Sequence, residues 1–230
     1  MGRIEFNEEK HEYTYDGEKV PSVTELIAPL SAEKYGAINS MILQEAARRG
    51  KIVHALAEAV DYGLDLDTDE EAVEFAPYLE AYCAFLLDHD VEWFMSEEIV
   101  TNRRYEAEAL IYAGTVDRFG MVDGSLAVVD IKTYASLGTD EQISASCQTA
   151  LYRDAIIASW PMPEPKTEGE YGSIVKRYVL HLKKDGKYRL ADMEKFDIDR
   201  GWNSGAVAWQ LIDIWRHRQA VYKTGRKRKK

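Results

Sequence analysis

The stretch GTVDRFGMVDGSLAVVDIKT, residues 114–133, decides how this chain folds. Its β-branched and aromatic residues predict two strands, and Asp123-Gly124 between them suits a two-residue hairpin turn. With that turn Asp117 faces Asp130, and their Cβ atoms stand roughly 4.5–5.5 Å apart on one face of the sheet. Val116, Val128, Val129 and Ile131 surround the pair with apolar surface. Like charges placed so need a shared proton or a cation, and a divalent metal is the chemically productive answer. Lys132 stands two residues beyond Asp130, so the strand period puts both side chains on the same face. From there an ammonium can orient a water and stabilise charge on a phosphate. An oxygen-rich ligand set favours Mg²⁺ or Mn²⁺ over Zn²⁺. The competing interpretation is a surface hairpin with one Asp130–Lys132 salt bridge, since D-x-K alone is a common pattern.

Upstream of this stretch, IEF and YTY within residues 3–20 predict two short strands with a turn at Asp16-Gly17. Ser22-Val23-Thr24-Glu25 has the form of a capping box opening a short helix that Pro29 ends. Helical spacing covers residues 32–62, with Gly50 as a break and Gly63 as a stop. It covers 70–88 as well, where Val73, Leu79, Tyr82, Phe85 and Leu86 form a core stripe. EEIVTN, from Glu97, predicts a strand ahead of the hairpin. Downstream come a helix at 140–159, a loop in PMPEPKTEGE, and strands at 173–183 and 187–193 around Asp185-Gly186. A closing helix over 200–222 carries Trp202, Trp209 and Trp215, expected as core or subunit contacts. The order of elements implies an α/β fold, a mixed sheet with helices packed on it.

Composition bounds the rest. At 230 residues and 46 % hydrophobic, the chain can bury one sizeable core. The net charge of −11 is unevenly spread: thirteen acids and no Lys or Arg lie between Asp61 and Glu98, and eight Lys or Arg and no acid from Arg216 onward. Residues 223–230 are expected as a disordered basic tail able to touch phosphates. No run of residues is apolar enough to span a membrane. Cys83 and Cys147 have no metal-ligand spacing and suit a reducing cytoplasm.

Several patterns occur together in order: G-x-V-D-R at 114–118, V-V-D-I-K-T at 128–133, and Q-x-x-x-Y at 148–152. They resemble the RecB-like branch of the PD-(D/E)XK nucleases. Gly50-Lys51-Ile52-Val53-His54 matches that branch's histidine-bearing helix, and Ser96-Glu97-Glu98-Ile99-Val100 its acidic strand. The opening HEYTYDGEKVPSVT, residues 11–24, looks like the start of phage-encoded exonucleases of the same group. The resemblance covers about residues 10–155; residues 160–230 match nothing in it.

The resemblance implies a restriction-endonuclease-like core, with a mixed central β-sheet flanked by helices and a helical N-terminal part, in one nuclease domain over residues 1–222. It implies that Asp117 and Asp130 bind Mg²⁺ or Mn²⁺, with the Ile131 carbonyl and His54 as further ligands. Glu97 joins them, chosen over Glu98 by the S-E-x-x-V spacing. Lys132 becomes the catalytic lysine, and Gln148 and Tyr152, four apart on one helix face, hold substrate or that lysine. The activity implied is hydrolysis of DNA from an end. An endonuclease with the same centre and a non-catalytic nucleic-acid-binding module are the alternatives. DNA is the implied partner, and phage relatives add a single-strand-annealing protein or form rings of several copies. Arg118, Lys51 and the basic C-terminus are candidates for phosphate contacts. Two cysteines are too few for the iron–sulfur cluster of some relatives, and no G-x-x-x-x-G-K-[ST] loop for a nucleotide is present.

Overall fold

The computed structural model describes residues 3–7, 10, 12–32, 36, 38–66, 68–103, 110–160 and 174–227. The chain opens with three antiparallel strands, β1 (Ile4–Asn7), β2 (Glu12–Tyr15) and β3 (Glu18–Val20), one more than expected. Asp16 and Gly17 both take positive φ, 49° and 79°, so the turn folds the chain straight back and Glu18–Val20 pairs with β2. Ser22 then caps α1 (Val23–Ile27) through a reciprocal capping box with Glu25, at 2.9 and 3.0 Å. Pro29 lies in a single 3₁₀ turn, Ala28–Leu30.

The long helix α2 (Ser40–Asp61) runs unbroken through Gly50, which corrects the expected break; Gly63, at φ 66°, follows its end as predicted. Residues 70–88 form two helices rather than one, α3 (Glu70–Glu74) and α4 (Ala76–Asp88). Pro77 in the first turn of α4 has no N–H to donate, so the helix restarts there. Val73 is 71 % exposed and leaves the expected stripe; Tyr82 and Phe85 are buried as expected, Leu79 and Leu86 pack beside them, and Ala72 and Phe75 turn inward as well.

A five-stranded sheet follows in the order β4 (Val91–Arg103), β5 (Leu110–Val122), β6 (Ser125–Lys132), β7 (Val175–Leu182), β8 (Tyr188–Asp192). Only β6 and β7 are parallel, and α5 (Thr139–Ser159) lies between them in sequence. Val53, Leu56, Tyr82 and Phe85 from α2 and α4 pack with Val129 and Ile131 on one face. Leu26, Leu151, Ile156 and Ile212 pack with Tyr112, Phe119 and Val128 on the other. The two apolar layers make this a mixed α/β core, the architecture expected from the order of elements. A short helix α6 (Met193–Asp199), unforeseen in the sequence, precedes α7 (Ser204–Lys227). Trp202 therefore stands ahead of the closing helix, and that helix continues past residue 222 into the stretch expected as a tail. Trp202, Trp209 and Trp215 pack against the α5-side core, as expected. The expected PMPEPKTEGE loop and the last three residues lie outside the described residues.

The hairpin register is the one its turn dictates, from Val122 opposite Ser125 to Arg118 opposite Val129, and there it stops. Beyond that rung β5 stays with β4, while β6 stays with β7 as far as Lys132 opposite His181. The sheet thus forks at Asp117 and Asp130.

Candidate metal centre at the strand fork

Three elements send acid–base side chains into the fork. His54 comes from α2, Glu97 from β4 and Asp117 from β5, with one ligand atom of each within 4.8 Å of the others. His54 Nδ1 lies 3.1 Å from Glu97 Oε1 and 3.7 Å from Asp117 Oδ1, and its Nε2 lies 3.0 Å from the Ile131 carbonyl. Both ring nitrogens thus face acceptors, an arrangement that only the doubly protonated ring satisfies. Burial opposes that charge, but the carboxylates of Asp117 and Glu97 outweigh it and carry the His54 pKa up to about 9. The imidazolium is the cation of the cluster.

Asp117 uses its two oxygens differently. Oδ2 accepts the backbone N–H of Ile131 at 2.6 Å, and Oδ1 faces His54. Asp130 is turned to Lys132, whose Nζ lies 2.8 Å from Oδ1 and 2.7 Å from Oδ2. The ion pair is enclosed, with side-chain exposures of 14 % for Lys132 and zero for Asp130, so the surface-hairpin interpretation fails. Burial pushes the Asp130 carboxyl up to about 7 even against the ammonium beside it. Burial also opposes the charge on Lys132, yet the Asp130 carboxylate more than restores it, so its pKa lies above the ordinary lysine value. At neutral pH the proton stays on the amine.

The expected face-to-face pair of Asp117 and Asp130 is therefore corrected in one respect. The ladder ends one rung before them, and each carboxylate takes its own partner, a backbone N–H for one and an ammonium for the other. Glu97 shares the His54 cluster with Asp117, while Asp130 still feels the Asp117 charge, which raises its pKa.

Glu97 reaches the cluster through an irregular backbone. Its φ of 50° lies in the left-handed region, which costs a side-chain-bearing residue of order 1–3 kcal/mol. The kink aims Glu97 at His54 and leaves Glu98 exposed. Arg118 holds it there: Nη1 donates to Glu97 Oε1 at 3.1 Å and to the Asp117 carbonyl at 2.6 Å, while Nε donates to Asp61 at 2.7 Å. Tyr82 donates to the other oxygen of Asp61 at 2.7 Å, and Trp93 donates to Tyr82 at 3.2 Å. Arg118 is completely buried and cannot touch a phosphate, which corrects that expectation; Lys51 is exposed.

From the other side, α5 brings Gln148 and Tyr152 against the same site, with Gln148 Nε2 donating to the Tyr152 hydroxyl at 3.3 Å. Burial raises the Tyr152 pKa well above 10, and the charges of Asp117 and Asp130 raise it further, so it remains a phenol. Gly114 makes this approach possible, because a Cβ there would stand 2.8 Å from both Tyr152 Cε1 and Val23 Cγ2. His54, Glu97, Asp117, Lys132, Gln148 and Tyr152 together line a cavity of about 230 Å³. Tyr13 and Thr115 line it as well, hydrogen-bonded to each other at 2.7 Å. The Arg118–Asp61–Tyr82 relay and the Tyr13–Thr115 wall were not foreseen. Only the D-R dipeptide hinted at the first, and nothing local signalled the second.

The model of the PD-(D/E)XK nuclease superfamily matches residues 33–204. A solved structure named SSO0001 is similar at 15 % identity and a TM-score of 0.40, over 84 % of this chain and 74 % of that one. No curated protein matches. Among the described residues no helix is long and apolar enough to cross a membrane.

Proposed function

The chain belongs to the PD-(D/E)XK nuclease superfamily, metal-dependent nucleases, and within it we propose that this protein is a Mg²⁺- or Mn²⁺-dependent exonuclease of the RecB-like, phage-type branch that hydrolyses DNA from an end. The observation that carries the proposal is the convergence of His54, Glu97 and Asp117 within 4.8 Å beside the buried Lys132. Two carboxylates, an imidazole and the Ile131 carbonyl form a donor set suited to a hard divalent ion. A cation already belongs there, since His54 fills that electrostatic role as an imidazolium.

Asp117, Glu97, His54 and the Ile131 carbonyl would hold the metal, with Asp130 as a further oxygen donor beside them. The metal, when bound, supplies Lewis acidity toward the phosphate and a lowered pKa for a bound water. His54 would bind the metal as the neutral imidazole, its proton passing to solvent. Lys132 would offer its ammonium to the phosphate oxygens, where charge grows in the transition state. Gln148 steadies the Tyr152 phenol, and the pair bounds the reacting side of the cavity. Arg118 acts through Glu97 and Asp117 and touches no substrate. We assign the β1–β3 sheet to the same nuclease domain, since Tyr13 from β2 forms one wall of the cavity.

The deciding experiment is Mn²⁺-dependent digestion of end-labelled linear, covalently closed circular and single-stranded DNA, with Lys132→Ala as control. Labelled mononucleotides released early from the linear and single-stranded substrates but not from circular DNA, and lost in the control, are the expected result. Circular DNA cut as fast as linear DNA would make the protein an endonuclease.

A further inference from the structure

A second cavity, of about 410 Å³, opens beside the metal centre. His54 and Lys132 form the wall it shares with that centre, and Leu43, Ala46, Ala47 and Tyr134 give most of the rest an apolar surface. Arg49 stands there with its Nε 3.4 Å from Thr133 Oγ1, and among the described residues it pairs with no carboxylate. Its neighbour Arg48, by contrast, is bound at both ends of its guanidinium by Glu74. Arg49, Thr133 and Tyr134 also line an adjoining cavity that carries Lys183, Lys184 and Asp185. In a chain of net charge −11, four cations, Arg49, Lys132, Lys183 and Lys184, thus follow one another away from the centre.

Gly50 adds an independent argument. It lies inside α2, where glycine is unfavourable relative to alanine, and it lines the apolar cavity. Its φ is not in the left-handed region, and a Cβ there would meet nothing within 4 Å. Neither backbone conformation nor packing calls for glycine at this position. What it leaves is room.

We propose that this cavity receives one unpaired nucleotide of the substrate strand, its base against the Leu43–Gly50 face of α2 and Tyr134 and its phosphate on Arg49, with the strand continuing over Lys183 and Lys184. The inference rests on the nuclease assignment and extends it to a substrate class. An apolar slot with one aromatic wall suits the flat face of any base, so it gives affinity with little sequence preference. A base paired and stacked in a duplex cannot enter without leaving its stack. The enzyme therefore selects single-stranded or frayed DNA, and the seated nucleotide lies next to the phosphate that Lys132 addresses.

The test compares fluorescence-anisotropy binding, in EDTA, of oligothymidylate and of the same backbone made abasic, to wild type, Gly50→Ala, Gly50→Leu and Arg49→Gln. Wild type should favour the base-bearing strand by about tenfold or more. Gly50→Leu should abolish that preference while keeping wild-type Mn²⁺ affinity by calorimetry, and Gly50→Ala should melt at a higher temperature. Arg49→Gln should weaken both strands equally and flatten the salt dependence of binding. Equal wild-type affinity for the two strands, or a preference unchanged in Gly50→Leu, overturns the proposal while leaving the nuclease assignment intact. Failure of the wild-type protein to cleave any DNA with Mn²⁺ overturns that assignment, and this site with it.

Discussion

Asp117 accepts the backbone N–H of Ile131 through Oδ2 at 2.6 Å, directly after the last rung between β5 and β6. A side chain thus makes the contact that a backbone carbonyl would make in a continued ladder. One oxygen is committed to holding the fork, and the other is left toward His54 and Glu97. Asp117→Asn keeps an acceptor for Ile131 but removes the charge. Its Mn²⁺ affinity should fall by at least about 100-fold, beyond the usual loss of an outer-shell partner, with the melting temperature held. Asp117→Ala strands a buried N–H and should lose about 1–3 kcal/mol of stability as well. Calorimetric titration and urea melts separate the two effects.

Arg118 is a scaffold for acids rather than a contact for DNA. Burial disfavours its charge, but the Tyr82, Asp61 and Glu97 around it raise its pKa above that of free arginine. Arg118→Met leaves Asp61 and Glu97 without their cation and should cost about 3–5 kcal/mol in denaturant unfolding. A surface arginine that touches phosphate would cost almost nothing in the same measurement. Adding Asp61→Asn to Arg118→Met should restore part of the loss, because one of the two stranded charges is then gone.

Protons and metal compete for His54. Its folded pKa of about 9 lies above the ordinary 6.5, so the native state holds a proton that the unfolded chain releases first. The stability this contributes is complete below about pH 6.5 and is lost as pH rises through 9. In EDTA the melting temperature should therefore decline across that window. Mn²⁺ affinity should climb over the same range, by about tenfold per pH unit for each proton displaced. A His54→Gln variant should lose the slope. Pairs of calorimetric titrations at different pH values would show whether it does.

Gly114 sets how close α5 can come to β5. In Gly114→Ala the added carbon meets Tyr152 and Val23 at 2.8 Å, and overpacking of this kind costs about 1–3 kcal/mol. Tyr152 and Val23 must give way together. Turnover should fall more than Mn²⁺ affinity, since His54, Glu97 and Asp117 do not lie on the helix that carries Tyr152. Equal losses in both would place Tyr152 outside the reaction.

Much of the frame was legible from residues near in sequence. Asp123-Gly124 specified the hairpin register, Ser22 and Glu25 specified a helix start, and the D-x-K spacing put Lys132 beside Asp130. Where the structure departs from the local pattern, either a break in a helix or a contact distant in sequence has intervened. Val73 has the right periodicity, but the restart at Pro77 rotates it away from the core. Arg118 looked available to phosphate because Asp61, fifty-seven residues earlier, cannot be seen from its neighbourhood.

The amino-acid sequence by itself determined the β-ribbon, the identity of the ionisable groups and their order along the chain, because turn chemistry and the two-residue strand period act over a few residues. Only the tertiary structure decided which charges meet. It parted β5 from β6 at Asp117, bent Glu97 toward His54, and gave Arg118 to Asp61. The reason is that a buried charge must find its partner among whatever elements pack around it. That choice is made by the arrangement of helices on the sheet, which no local stretch of sequence encodes.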